Sequence, residues 1–169
     1  MHQLAVVLVP FGPEHTSIRP LAARDEGTRA RLDTLLFQVT QPDRAAWGVD
    51  FEQGFEMDWW SIGGRWTGWG RDVRALMRRQ RVRPATRPIP RFLLANTVWT
   101  EDLARVRLSS PVFPDAMLTP HGVWNEAGVL LMGSKTARER KAKAAWLRRI
   151  REVVQMYDRH LAVAIDYHF

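Results

Sequence analysis

Cysteine is absent from the 169 residues. That excludes a disulfide framework, a thiolate metal site and a cysteine nucleophile. Long apolar runs are absent too. Leu4 to Val9 is a stretch of six residues, far short of the roughly 20 that a membrane-spanning helix needs. Met1 to Pro10 carries no basic region and no small-residue cleavage signal, so it reads as a strand and not as a secretory signal. No membrane partner is expected, and a soluble cytoplasmic protein is the expectation. Catalytic signatures are equally scarce. There is no Gly-x-Ser-x-Gly elbow and no His-Glu-x-x-His helix. His15-Thr16-Ser17 is a single His-x-Ser motif where a two-motif phosphodiesterase would need a second. Lysine is rare as well, supplying three of the 25 basic residues.

What is present describes one folded unit. Hydrophobic residues make up 46% of the chain, enough for a core and too many for a disordered segment. The net charge of +7 is unevenly spread. Residues 1–60 hold nine acids and five bases, net −4; residues 61–169 hold nine acids and twenty bases, net +11. Arg71 to Arg91 contains eight arginines and one acid, and Lys135 to Arg151 eight bases against Glu139. Such asymmetry suits an anionic partner, although arginine-biased composition accounts for part of it.

Periodicity outlines the elements. Gln3 to Val9 reads as a central strand and Thr28 to Val39 as an amphipathic helix, with a polar loop over Gln41 to Gln53. Phe55 to Trp60 reads as a short strand and Asp72 to Gln80 as a helix with Val73, Leu76 and Met77 inward. Pro84 to Pro90 holds three prolines and must be an extended loop. Phe92 to Trp99 is apolar enough for a strand, after which Thr100 stands as a helix N-cap. Asp115 to Glu126 reads as a hairpin turning at Pro120-His121-Gly122. Ser134 to His160 is a long helix, capped by Ser134, with Ala142, Ala145, Trp146, Ile150, Val153, Val154 and Tyr157 inward. Leu161 to Phe169 alternates as a strand, placing Ala162, Ala164, Asp166 and His168 on one face. The expected fold is a single α+β domain over residues 1–169, a mainly antiparallel sheet with helices packed on one face.

Asp58-Trp59-Trp60-Ser61-Ile62-Gly63-Gly64-Arg65-Trp66-Thr67-Gly68-Trp69-Gly70 is the densest chemistry in the chain. Four tryptophans, four glycines, an arginine and an aspartate share thirteen residues. The Gly63 and Gly64 amides can form an anion-binding concavity, Arg65 can add a fork of donors, and Trp60 or Trp66 can stack on a base or sugar. The alternative is a tight turn with Arg65 paired to Asp58 and the tryptophans in the core. Asp166 and His168, two apart on a strand, form a candidate acid/base pair, or part of a metal site with Asp58 or Glu126.

Three of these segments together resemble an uncharacterised family of small bacterial and phage proteins. The family's Asp-aromatic-aromatic-x-Ile-Gly-Gly-Arg-aromatic-x-Gly signature is matched by Asp58 to Gly68. Its Thr-Pro-Asp-Gly-x-Trp-His-Glu hairpin aligns with Thr119 to Glu126, departing at His121 and Asn125. Its final hydrophobic-Asp-x-His strand aligns with Ile165-Asp166-Tyr167-His168. Were the family histidine at position 125 catalytic, this chain would lack it. The resemblance marks a site and implies no reaction.

Three functional readings stand. The first is binding of an anionic, nucleotide-like small molecule by Asp58, Trp60, Gly63, Gly64, Arg65 and Trp66, either with phosphodiester hydrolysis by His168 oriented by Asp166 or as sequestration without turnover. The second is a nucleic-acid-binding module using residues 71–91 and 135–151. The third is an inhibitor from a mobile element, binding a protein through Asp50 to Asp58 and exposed tryptophans such as Trp47 and Trp69. No cofactor and no oligomeric state follow from these residues.

Overall fold

The computed structural model describes residues 2–10, 59–89, 94–109, 112–121, 123–127 and 136–168. The expected helix over Thr28 to Val39 and the loop over Gln41 to Gln53 lie outside them. In chain order the elements are β1 (His2–Pro10), β2 (Trp59–Ile62), a 3-10 turn (Gly64–Trp66), α1 (Trp69–Arg79), β3 (Thr97–Trp99), α2 (Thr100–Arg105), β4 (Ala116–Leu118), β5 (Trp124–Glu126), α3 (Ala137–Met156) and β6 (His160–His168). This is the expected α+β domain.

β1 is the centre of the sheet. Leu4 to Val9 are all fully buried, as a continuous apolar run on a strand covered on both faces must be. β6 lies antiparallel along its whole length, from His2 opposite His168 to Pro10 opposite His160. β4 lies on the other side, parallel, with Ala5 opposite Ala116. β5 closes the expected hairpin against β4. The sheet is therefore mixed, with this one parallel pairing among antiparallel ones in the described residues.

The far edge of β6 is shared by two short strands in series. β2 pairs with residues 165–168 and β3 with residues 161–163. At the seam the Ala164 carbonyl accepts from Gly63 N–H at 3.0 Å, and the Ala164 N–H donates to the Asn96 carbonyl at 2.9 Å. No backbone group of Ala164 is left unpaired, which burial demands.

The described helices share one face. Leu4, Val6, Leu8, Ala162 and Ala164 meet Trp69, Val73 and Met77 of α1, Leu103 of α2, and Trp146, Ile150, Val153 and Val154 of α3. The other face is Val7, Val9, Leu161, Val163, Ile165 and Tyr167, covered by Trp99, Trp124, Ala85 and Ile89. Residues 84–89 have no regular structure, as Pro84 and Pro88 favour, but they are tied down. Ala85 N–H donates to Asp102 at 2.8 Å, and the Arg87 guanidinium stacks 4.1 Å over the Trp99 ring and pairs with Glu101.

Several boundaries differ from expectation. α1 starts three residues early, because Trp69 is core and its indole donates to the Val112 carbonyl at 2.9 Å. Gly70 lets that helix lie against β3, since a Cβ there would fall 2.6 Å from the Thr97 backbone. β3 begins at Thr97 because Leu94 to Asn96 form a turn. Thr100 is not an N-cap. It is the first helical residue, and its hydroxyl donates to the Tyr157 carbonyl at 2.8 Å, pinning the turn into β6. Thr136 caps α3 in a full capping box with Glu139, two residues beyond Ser134. Ala142 and Ala145 are exposed and do not belong to its buried stripe.

Candidate functional site

The Gly63-Gly64 segment turns the chain sharply at the end of β2. Gly63, Gly64 and Gly68 have φ of 75°, 47° and 100°, conformations that side chains disfavour. Space is limiting as well. A Cβ on Gly63 would sit 2.5 Å from Asn96 Nδ2, and one on Gly64 2.5 Å from Asp166 Oδ2. The glycines thus allow the turn to settle directly onto Asn96 and Asp166. Asn96 Oδ1 accepts from Gly68 N–H at 2.8 Å, and Asp166 Oδ2 accepts from Arg65 N–H at 2.9 Å.

This geometry refines the expected anion pocket. Gly63 N–H is spent on Ala164, and the anion held at the turn is the protein's own Asp166. The Arg65 side chain stays exposed. Trp66 is half-buried against the helix-side core, and its buried indole N–H has no hydrogen-bond partner among the described residues. Trp69 is core and offers no exposed surface for a protein partner. Trp60 is placed by its backbone opposite Tyr167. Asp58 lies outside the described residues, as do Trp47 and the stretch Asp50 to Asp58.

Asp166 is the hub of the site. Its side chain is 2% exposed, yet it lies at the end of the sheet beside a histidine that sequence reasoning overlooked. His2 Nδ1 is 3.0 Å from Asp166 Oδ1, and the imidazole is 23% exposed. Register explains the meeting. Leu4 lies opposite Asp166 and His2 opposite His168, so His2 and Asp166 are diagonal neighbours on one face. With the proton on Nδ1 facing the carboxylate, Nε2 is the basic atom of the neutral ring. His168 is placed by its backbone between His2 and Trp59.

The other side of the same sheet end is polar too. Tyr167 hydroxyl donates to Gln3, and its ring meets Trp124 edge-on at 5.2 Å. Burial pushes the Tyr167 hydroxyl well above the usual phenol range, and Glu126 and Asp115 push in the same direction. Desolvation likewise raises the Asp115 and Glu126 carboxyls. Glu126 is in register with Ala116, on the face opposite Asp166, so it does not join Asp166 in a metal site. Among the described residues no three His, Asp or Glu side chains converge as they would around a metal ion. His121 is exposed at the hairpin turn, its ring 5.8 Å from Tyr157.

Comparison with family models, curated proteins and solved structures found no match. No described helix is long and apolar enough to cross a membrane.

Proposed function

We propose that this protein binds a phosphorylated, nucleotide-like small molecule at the His2–Asp166–Arg65 end of the sheet and hydrolyses a phosphodiester there. The observation that carries this reading is the double use of Asp166. One buried carboxylate orients a part-exposed imidazole and, through the Arg65 amide, fixes the backbone of an exposed guanidinium. The Arg65 fork meets phosphate oxygens with two parallel donors. His2 is assigned the acid/base role, because the carboxylate holds its ring at 3.0 Å. In the reaction His2 Nε2 takes a proton from water as its oxygen bonds to phosphorus. The P–O ester bond breaks, and the leaving oxygen receives that proton back. Trp66, beside the turn, supplies the aromatic surface for a base or sugar.

Native mass spectrometry of the purified protein, with Arg65→Ala and His2→Ala beside it, tests the reading. The wild type should carry a small anion that Arg65→Ala loses. His2→Ala should still bind it but turn over a nitrophenyl phosphodiester about 10²–10⁴-fold more slowly, the usual worth of a general acid/base. A ligand retained by Arg65→Ala, or turnover unchanged in His2→Ala, refutes the assignment.

A further inference from the structure

We propose that the outer face of α3 binds the phosphate backbone of a nucleic-acid duplex, independently of the sheet-end site. α3 spans twenty residues, about 30 Å of helix. Trp146, Ile150, Val153 and Val154 occupy the stripe that meets the sheet. Away from it project Arg138, Lys141, Arg148 and Arg151, all exposed. Arg138 and Arg151 are separated by about 20 Å of axial rise, so the four charges can meet successive phosphates along a groove edge.

The charge on this face is not balanced locally. Between Ala137 and Met156 there are seven bases and two acids. Only Glu139 is held in the cap, while Glu152 is exposed on the outer face beside Arg151 and one turn on from Arg148. Glu139 accepts from Thr136 N–H at 2.9 Å as part of the cap. Glu152 lies 3.7 Å from Arg149, whose guanidinium also donates to Asn125 Oδ1 at 3.0 Å. None of the four outward cations is ion-paired to a described carboxylate. A merely solvated face interleaves both signs evenly; here Glu152 is the one exposed acid among the outward cations of α3, and the exposed residues between them include Ala144 and Ala145, which allow close approach of a backbone. Arg71, Arg78 and Arg79 of α1 are exposed too, on a helix that packs against the same face of the sheet.

The partner's class follows from what accompanies the charge. A membrane-surface helix needs an apolar side to insert, and the apolar stripe of α3 is consumed by the core. A single-strand binder stacks bases on exposed aromatic rings, and this face carries none. Cations with small spacers and no aromatics fit a duplex backbone, read without regard to sequence.

The test is fluorescence polarisation of a labelled duplex of arbitrary sequence against the whole protein, from about 50 to 200 mM salt. Wild type should bind, with log K falling linearly in log salt. The variant carrying R138Q, K141Q, R148Q and R151Q should lower that slope by up to about 0.9 for each lost contact. Glutamine keeps helix propensity, and circular dichroism with a urea melt verifies that the variant is folded. Three results overturn the proposal: no duplex binding at the lowest salt, a folded variant with an unchanged slope, or stronger binding to single strands or phosphatidylserine vesicles than to duplex.

Discussion

At the scale of single residues, the unusual positions in the Gly-Trp segment have separate physical reasons. Gly63 and Gly64 are needed for positive φ and for contact with Asn96 and Asp166; Gly70 is needed for a helix to touch a strand. Gly64→Ala should therefore destabilise by about 1–2 kcal/mol from backbone conformation alone, and by more because the methyl would displace Asp166. Urea unfolding measures the loss. Weakened binding of the proposed phosphorylated ligand should accompany it, since Arg65 N–H would lose its acceptor. The segment was legible as a site of close approach because glycine and tryptophan at such density have few other uses. Its partner residues were not. Asn96 sits in what reads as a strand. His2 becomes a neighbour of Asp166 only once the pairing of β1 with β6 and its register are known, and no local pattern encodes either.

At the scale of elements, alternation and helical spacing recovered β1, α1, the β4–β5 hairpin, α3 and β6 because each buries one stripe or both faces. Termini were less legible. Ser134, Thr136 and Thr100 are all plausible caps by residue type, and the choice falls to Thr136 because Glu139 stands three residues on, completing a reciprocal pair. Thr136→Ala should cost about 1 kcal/mol, readable as a lower urea midpoint with the end of α3 exchanging its amides faster. Thr100 is instead engaged by the Tyr157 carbonyl, a contact 57 residues away that local reasoning cannot see. The division of one β6 edge between β2 and β3 was illegible for the same reason: two short apolar runs do not announce that they lie end to end.

At the scale of the whole molecule, charge burial makes stability depend on pH. The Asp115 carboxyl accepts from Leu4 N–H at 3.2 Å, and its desolvation raises its pKa above the ordinary 3.8. Between that value and its raised folded value the native state holds more protons than the unfolded chain. This group's contribution to stability therefore falls as pH rises through the window, and the penalty is fully present above it. Asp115→Asn keeps an acceptor for Leu4 and removes the penalty. Urea midpoints of variant and wild type should thus diverge in the variant's favour from low pH towards neutrality; parallel profiles would show that Asp115 is not the cause. The pairing at the centre of the sheet carries a different consequence, one of time. β1 is made from residues 2–10 and its full-length neighbour from residues 160–168, so the two strands that bury the most apolar surface are also the farthest apart along the chain. During synthesis the Leu4–Val9 run emerges long before β6, its full-length partner. Pairing across such a sequence separation slows folding in general, and an apolar strand that waits for its partner is open to another molecule's edge.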